Sequence, residues 1–351
     1  MNLINLGFSE FFKEQIVDEK KDYSAARVVL EHKHSYRVAG EQGEWLATVS
    51  GNFSYSATGR FDYPAIGDWV IVEKMPGEQK AIIHKLLKRK SAFVRKVAGL
   101  EIQQQIVAAN VDIVFLVMSM NQDFNIRRLE RYLTAAWDSG AKPIIVLTKA
   151  DLCEDRTFYR NEIERNAPGV DYFVTSTVTG EGIEALQMML KEGKTGALLG
   201  SSGVGKSSIT NALTMERKME ISEIREDDAK GRHTTTHREL VLLPSGGCLI
   251  DTPGMRELQL WDQGENIGAS FRDIERLAEH CRFRDCTHQN EPHCAVQRAI
   301  SDGTLELARL LNYFKLGKEA AFLERKLKAQ SKLEEKRKQK KVSKGIKRKG
   351  K

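Results

Sequence analysis

The sequence carries GSSGVGKS at residues 200–207, which reads Gly200, Ser201, Ser202, Gly203, Val204, Gly205, Lys206 and Ser207. This stretch has the form G-x-x-x-x-G-K-[ST] and lies between a short apolar run and a helical stretch that starts at Ser208, which is the context of a phosphate-binding loop. Its glycines let backbone N–H groups converge on a phosphate, Lys206 reaches the β and γ phosphates, and Ser207 can bind Mg²⁺. A glycine-rich turn, the alternative, leaves the lysine unexplained. The stretch therefore predicts an α/β nucleotide-binding domain in which residues 200–208 hold the phosphates.

Two further motifs lie downstream of the phosphate loop and fit the contacts that a magnesium-bound nucleotide needs. The tetrapeptide DTPG at residues 251–254 ends an apolar run, so we expect Asp251 to contact Mg²⁺ or its water shell and Gly254 to offer its backbone N–H to the γ phosphate. The polar loop GRHTTTH at residues 231–237 precedes it, and Thr235 is expected to close on Mg²⁺ when the γ phosphate is present. An ordinary polar loop before a strand is the alternative.

A third motif, upstream of the phosphate loop, predicts the base. It consists of Thr148, Lys149, Ala150 and Asp151 and matches the guanine-reading pattern N/T-K-x-D. We expect the Asp151 carboxylate to accept two hydrogen bonds from guanine and Lys149 to pack over the base. Ser176 and Thr177 follow another apolar run and are expected to contact the guanine oxygen. Together with the phosphate loop, this motif favours GTP over ATP.

The residue directly after DTPG departs from the usual GTPase pattern. Many GTPases have a water-orienting glutamine there, whereas this chain has Met255, which cannot orient water. We therefore expect slow intrinsic GTP hydrolysis and acceleration by a partner. His233 is a candidate for positioning the water, and an ordinary loop histidine is the alternative reading.

Six apolar runs predict the strands of the α/β domain. They lie at residues 111–117, 143–147, 172–174, 197–199, 240–243 and 248–250. Helical stretches alternate with them, such as residues 126–137, where Leu129, Tyr132, Leu133 and Ala136 share one face. This alternation is typical of a doubly wound α/β fold.

The regions before and after the α/β domain have different sequence patterns. Short β-like runs punctuated by glycine fill about residues 25–97 and predict a small barrel or sandwich. A five-stranded oligonucleotide-binding (OB-like) barrel fits the length and turn density, and other all-β modules fit equally well. After about residue 263 the strand pattern stops, and helices surround a cysteine cluster.

The composition is that of an ordinary soluble chain. Its 351 residues are 41% hydrophobic and 29% charged, and this length favours two or three domains. The apolar runs are all shorter than the ~20 residues of a membrane helix, and charges interrupt the first fifteen residues, unlike a secretory signal. We expect a cytosolic protein without membrane association.

The cysteines point to a metal. They are Cys153, Cys248, Cys281, Cys286 and Cys294. An odd number in a large cytosolic chain argues against a disulfide framework. The last three form C-x₄-C-x-H-x₅-C with His288, and three thiolates with one imidazole predict a structural Zn²⁺ site. His280 and His293 are alternative ligands, and a set of free thiols is the alternative to any site. Cys153 and Cys248 are expected to be small apolar fillers.

The C-terminal tail is strongly basic. Residues 326–351 contain thirteen Lys or Arg and only two Glu, although the net charge of the whole chain is only +7. Such a segment cannot bury enough apolar surface to fold alone, and a cationic arm binds phosphate backbones through counterion release. A tail that only solvates the protein is the alternative.

The motif order is rotated relative to ordinary GTPases, because TKAD precedes GSSGVGKS instead of following it. In this order, and in the barrel, the GRHTTT loop, DTPG and the cysteine–histidine knuckle, the chain resembles the circularly permuted GTPases. Across about residues 25–320 it resembles the bacterial ribosome small-subunit-dependent GTPase family in particular.

The resemblance implies a multidomain architecture. We expect an OB-like, RNA-binding β-barrel at residues 1–97 and a circularly permuted α/β P-loop GTPase domain at 98–262. An α-helical zinc-binding domain at 263–325 and a basic tail at 326–351 complete it.

The resemblance also implies a function. Members bind the small ribosomal subunit late in its maturation, hydrolyse GTP when bound and are thought to help release assembly factors. We therefore expect a GTP hydrolase, a monomer, with GTP/GDP, Mg²⁺, one Zn²⁺, the small subunit and its rRNA, and other assembly factors as partners. Two rivals are a P-loop ATPase or small-molecule kinase, and a non-hydrolysing RNA-binding module.

Overall fold

The computed structural model describes residues 2–16, 22–32, 35–97, 103–215, 239–251, 267–322, 324–326 and 328–329. The chain forms two compact units. One comprises Met1–Arg95 with Gln104–Trp261, and the other comprises Lys96–Gln103 with Asp262–Lys351. The domain boundaries expected from the sequence at 97/98, 262/263 and 325/326 stay predictions.

The N-terminal part of the first unit is a five-stranded barrel preceded by a short helix. Its elements are α1 (Glu10–Lys13), β1 (Tyr23–Glu31), β2 (Tyr36–Gly40), β3 (Gly43–Val49), α2 (Gly51–Ser56), a 3₁₀ turn (Arg60–Asp62), β4 (Trp69–Lys74) and β5 (Lys80–Leu86). The strand order is β1-β2-β3-β5-β4, and β4 pairs back onto β1 to close the barrel. The barrel prediction is confirmed.

The barrel interior follows from the period of two along each strand. Val28, Val38, Ala47, Val70 and Ile83 are each fully buried in one cluster. Outward-facing residues such as Arg37 and Leu46 alternate with them and are exposed. Beyond the barrel, β6 (Ala92–Val97) and β7 (Gln103–Ala109) form a separate two-stranded sheet.

The rest of the first unit is a doubly wound α/β layer. Its elements are β8 (Ile113–Ser119), α3 (Ile126–Ser139), β9 (Lys142–Thr148), α4 (Thr157–Asn166), β10 (Tyr172–Val174), α5 (Ile183–Met189), β11 (Thr195–Leu199), α6 (Lys206–Thr214), β12 (Glu239–Leu242) and β13 (Cys248–Asp251). The strand order is β10-β9-β8-β11-β13-β12, parallel except that β12 is antiparallel to β13. The six strands predicted from apolar runs are these six.

The central strand β8 explains why its sequence is a continuous apolar run. All seven of its residues are buried, because both faces of the sheet are covered. Val114, Leu116 and Met118 point into one hydrophobic cluster. Ile113, Phe115 and Val117 point into the cluster on the opposite face.

Barrel and α/β layer share one continuous sheet of eleven strands, because Leu30 of β1 pairs with Glu239 of β12. The side chain of Arg27, only 1% exposed, lies beside this junction. It donates hydrogen bonds to the carbonyl oxygens of Leu6, Gly67 and Asn110 and to Thr195 Oγ1 of β11.

The described part of the second unit is helical after residue 266. It contains α7 (Ile267–Ser270), α8 (Arg272–Ala278), α9 (Ala295–Ser301) and a helix at residues 307–322. Phe271, Ile274, Val296, Leu310 and Leu316 form its core. The helical character predicted for this region is confirmed. Most of the basic tail, from residue 330, lies outside the described residues.

None of the helices in the described ranges is long and apolar enough to cross a membrane.

Candidate functional site

The phosphate loop runs from the end of β11 into the first turn of α6. Gly203 and Gly205 have φ angles of +77° and +99°, a left-handed backbone that glycine adopts without penalty. At Gly200 a Cβ atom would lie 2.4 Å from the carbonyl oxygen of Val117, so only glycine fits where the loop passes β8. The helix α6 begins at Lys206, and its N-terminal N–H groups face the loop, as an anion site requires.

The lysine of the loop is mostly buried and bonded to the loop itself. Lys206 is 8% exposed, and its Nζ donates to the carbonyl oxygens of Gly200, at 2.6 Å, and Ser201. Its ammonium group therefore lies inside the curve of the loop.

The TKAD motif and the phosphate loop touch through its first residue. Thr148 Oγ1 lies 2.6 Å from the carbonyl oxygen of Val204 and 3.3 Å from that of Met118. Thr148 is 4% exposed and ends β9. The motif is therefore anchored to the loop although 56 residues separate Thr148 from Val204.

The residues expected to read the base lie together. Asp151 is exposed and its Oδ1 accepts a 2.5 Å hydrogen bond from Ser176 Oγ. Lys149 has φ of +61°, which turns the chain sharply after β9. The backbone N–H of Ala150 donates to the carbonyl oxygen of Thr175 at 3.1 Å, which joins this turn to the loop after β10. Thr177 is exposed in that loop.

The magnesium side of the site is described only in part. Asp251 is the last residue of β13, whose neighbour β11 leads into the phosphate loop with Ala197 paired to Ile250. Two adjacent parallel strands therefore end at the same edge, where α/β sheets bind ligands. The side chain of Asp251 lies outside the described residues. His233, Thr235, Gly254 and Met255 also lie outside them.

Two side chains of α3 reach the phosphate loop. Arg128 Nη1 donates to Ser201 Oγ, and the Tyr132 hydroxyl is also hydrogen-bonded to Ser201. Burial raises the pKa of Tyr132 above its ordinary value. The sequence pattern indicates only that Tyr132 lies on a buried helix face. Nothing near position 128 indicates that Arg128 has a partner 73 residues away.

The second candidate site is a cysteine–histidine cluster. The ligand atoms of Cys281, Cys286, His288 and Cys294 all lie within 4.8 Å of one another, so these residues could hold one metal ion. Cys281 Sγ lies 3.8 Å from Cys294 Sγ and 3.6 Å from His288 Nδ1. Cys294 Sγ lies 3.5 Å from the same nitrogen. His280 and His293, the alternative ligands, are not part of this cluster.

The loop that carries His288 is held by one carboxylate. Glu291 accepts hydrogen bonds from the Thr287 hydroxyl and from the backbone N–H groups of Thr287, Gln289 and Asn290. These bonds lower the pKa of Glu291 to about 2. His288 has φ of +58°, a left-handed conformation that few residues other than glycine adopt, and the bonds around Glu291 stabilise the turn that contains it.

The pKa of one thiol in the cluster departs strongly from its ordinary value. Desolvation, together with the neighbouring thiols of Cys294 and Cys281, raises the pKa of the Cys286 thiol to about 11. A bound cation would favour the thiolates. Cys248 is fully buried and Cys153 half-buried, and neither belongs to the cluster.

A family model and the curated relatives indicate the same family. A model described as RsgA GTPase matches residues 86–261. The curated small ribosomal subunit biogenesis GTPase RsgA 1 of Oceanobacillus iheyensis is 44% identical over 344 residues, covering 98% of each chain. Its namesake from Listeria innocua is 47% identical over 93% of this chain and 91% of its own.

Solved structures agree with these relatives. YjeQ from Thermotoga maritima has a TM-score of 0.64 and 28% identity, over 85% of this chain and 99% of its own. YloQ, described as a circularly permuted GTPase, has a TM-score of 0.63 at 24% identity, over 87% of this chain and 97% of its own, and supports the fold.

A second model, described as ABC transporter, matches residues 183–349. That range contains the phosphate loop, which many nucleotide-binding proteins share, but not the TKAD motif.

Proposed function

Because the chain belongs to the RsgA GTPase family and is therefore a GTP hydrolase, we propose that it acts in the biogenesis of the small (30S) ribosomal subunit. It binds that subunit late in maturation, hydrolyses GTP to GDP and phosphate with stimulation by the subunit, and promotes release of assembly factors. The names of the curated relatives support the subunit. The observation that carries the guanine-nucleotide site is the contact of Thr148 with the phosphate loop, beside the Asp151–Ser176 pair.

The proposed roles divide the site between base and phosphate. Asp151 accepts the guanine N–H groups and Lys149 covers the base. Backbone N–H groups of residues 200–208 hold the phosphates, with Lys206 on the β and γ phosphates. Ser207, Thr235 and Asp251 would hold Mg²⁺, which would neutralise charge that develops on the phosphates.

Hydrolysis needs an oriented water, and Met255 cannot supply that function. We assign the N–H of Gly254 to the γ phosphate and the water-positioning role to His233. Turnover is then slow for the protein alone and rises when the partner completes the catalytic site.

The clustered thiols favour Zn²⁺ as the metal. An ion with metal–sulfur distances of about 2.3 Å and metal–nitrogen distances of about 2.0 Å separates two tetrahedral sulfurs by about 3.8 Å, and a sulfur from a nitrogen by about 3.5 Å. The distances among Cys281, Cys294 and His288, 3.8, 3.6 and 3.5 Å, agree with those values. Such a closed site has a structural role.

Ribosomal RNA is the proposed surface that the protein recognises. A five-stranded barrel, a cysteine–histidine knuckle and a basic C-terminal segment are each suited to RNA. The protein is proposed to act as a cytoplasmic monomer.

The direct experiment is GTP turnover by the purified protein, alone and with small subunits, with ATP and large subunits as controls. Steep stimulation of GTP turnover by small subunits only is the expected result. A GTP turnover rate that is the same with and without ribosomal subunits would contradict the proposal that the small subunit is the partner.

The guanine assignment has a separate test. Asp151→Asn replaces an acceptor of the guanine N–H groups with an amide that can donate to the 2-carbonyl of xanthine. We expect GTP affinity to fall by at least about a hundredfold and xanthosine triphosphate affinity to rise. Asp155→Asn, a nearby exposed carboxylate that accepts from the Thr157 N–H, is the control. Retained GTP preference in the Asp151 variant would contradict the role of Asp151 in reading the base. Faster turnover of ATP than of GTP by the parent protein would favour the ATPase alternative.

A further inference from the structure

Arg128 lies near the start of α3 with its guanidinium group fixed on one side by a single aspartate. Its Nη1 and Nη2 lie 3.2 and 3.1 Å from Asp123 Oδ1, and Nη2 donates to the Asp123 carbonyl oxygen at 2.7 Å. The side chain is 27% exposed. The guanidinium is therefore bonded to both the carboxylate and the backbone of Asp123, which restricts it more than a simple surface ion pair.

The same guanidinium group also contacts the phosphate loop. Nη1 donates to Ser201 Oγ, which the Tyr132 hydroxyl also contacts. The carbonyl oxygen of Ser201 accepts from Lys206 Nζ. The second residue of the loop is thus held through its side chain by α3 and through its backbone by the catalytic lysine.

We propose that Arg128 is a positioning residue of the GTPase site, which orders the phosphate loop for nucleotide through Ser201. Ser202 and Gly203, the next residues, are exposed, and a glycine-rich segment loses much conformational freedom when its N–H groups converge on a phosphate. A loop already ordered by α3 loses less on binding, so affinity rises.

This inference concerns nucleotide binding by a GTP hydrolase and does not depend on the ribosomal partner. An alternative is that Arg128 merely stabilises α3 by its pair with Asp123. That role predicts a change in protein stability without a specific change in nucleotide affinity.

The test is a double-mutant cycle on the full chain with Arg128→Met, Ser201→Ala and the double variant. Affinity for a fluorescent GDP and a non-hydrolysable GTP analogue is measured by titration. A hydrogen bond to a charged group is worth about tenfold or more in affinity, so each single variant is expected to bind both nucleotides about tenfold more weakly. The double variant is expected to lose little more than either single variant, because both remove one interaction.

Arg165→Met is the matched control, since Arg165 pairs with Glu162 on the surface of α4 at 3.8 Å and is 61% exposed. It is expected to leave nucleotide affinity unchanged. Arg128→Lys keeps the charge but not the planar fork that contacts Asp123 and Ser201 together, so it should bind about as weakly as the methionine variant.

Steady-state kinetics separate positioning from chemistry. A loop ordered before nucleotide arrives affects ground state and transition state equally, so KM should rise with little change in kcat. Unchanged affinity in Arg128→Met, additive losses in the double variant, full rescue by lysine, or a loss confined to kcat would each overturn the proposal. Ser201→Ala keeps the test informative if an Arg128 variant folds poorly.

Discussion

The hydroxyl of Thr148 forms the contact that joins the TKAD motif to the phosphate loop. It lies 2.6 Å from the carbonyl oxygen of Val204, and both residues are buried, at 4% and 1% exposure. A buried carbonyl without a donor is costly. Replacing the hydroxyl of Thr148 with a methyl group should therefore affect both protein stability and ligand binding.

Thr148→Val should destabilise the protein by about 1–3 kcal/mol, because it leaves the Val204 carbonyl without this donor in a dry site. GDP affinity should fall as well, because the loop loses an anchor. Denaturant unfolding and GDP titration measure the two effects. The control is Thr134→Val, a buried threonine whose hydroxyl donates within α3 to Glu130. A Thr148 variant within about 0.5 kcal/mol of the parent would contradict this reading.

A second residue-scale prediction concerns pH. Asp62 Oδ2 accepts from the Thr58 hydroxyl at 2.8 Å and from the N–H groups of Thr58 and Gly59 at 2.7 and 3.1 Å. These bonds, that from the Thr58 hydroxyl first, lower the pKa of Asp62 from its ordinary value of 3.8. Because the pKa is lower in the folded state, the stabilisation is complete above pH 3.8 and is lost as pH falls below it.

Asp62→Asn should therefore be less stable than the parent at neutral pH, and the difference should shrink as pH falls through 3.8 towards the folded pKa. Thermal unfolding of both proteins between neutral and acid pH measures it. A difference independent of pH would mean that the carboxylate charge does not hold this turn.

At the scale of elements, α9 depends on the cluster that precedes it. Cys294 is the N-cap of α9 and its Sγ accepts from the Gln297 N–H at 3.5 Å. The same residue packs in the hydrophobic core of the helical unit with Phe271 and Val296. The cluster and the helical core are therefore one structural unit.

Cys286→Ser should remove the bound metal and loosen residues 267–322, while nucleotide affinity of the other unit is kept. Metal analysis and hydrogen exchange test this, with exchange in α9 expected to quicken at least about tenfold. Cys153→Ser, outside the cluster, should change neither. Normal metal content in the Cys286 variant would remove that residue from the ligand set.

The sequence predicts a strand correctly where its apolar residues form a long or strongly periodic run. The six strands of the α/β layer were predicted because buried parallel strands are continuously apolar. The sequence does not predict the strand β5 (KAIIHKL) or the sheet of β6 and β7, because charged or polar residues break up their apolar runs. Their strand structure depends on pairing with neighbours.

At the scale of the whole molecule, Arg27 joins parts of the first unit that are far apart in the chain. Its guanidinium donates hydrogen bonds to the carbonyl oxygens of Leu6 in the N-terminal segment, of Gly67 just before β4 and of Asn110 just after β7. It also donates to Thr195 of β11. Its burial lowers the pKa of Arg27. One cation thus satisfies several buried acceptors at the junction of barrel and α/β layer.

Arg27→Met should cost on the order of 3–5 kcal/mol, because several buried acceptors lose their donor at once. Denaturant unfolding followed at both a barrel and an α/β probe would measure it. Arg37→Met, on the exposed face of β2, is the control and should fall within about 0.5 kcal/mol of the parent. Equal stability of both variants would show that the junction does not need this cation.

The family resemblance seen in the motifs is confirmed by the matching family model and by relatives over nearly the full length. The motif order was sufficient because each motif is a local pattern whose residues act through neighbouring backbone. The roles of Thr235, His233 and Gly254 stay predictions, since these residues lie outside the described ranges.

The sequence by itself determined the local features of this protein: the phosphate loop, the TKAD motif, their rotated order, six strands and four metal-ligand candidates. Only the tertiary structure decided which distant segments meet. Thr148 contacts Val204 across 56 residues, Arg128 contacts Ser201 across 73, and Arg27 contacts Thr195 across 168. The physical reason is that periodicity and motif spacing report backbone conformation and burial within one element. Contacts between elements depend on strand order and packing, which no single stretch of sequence encodes.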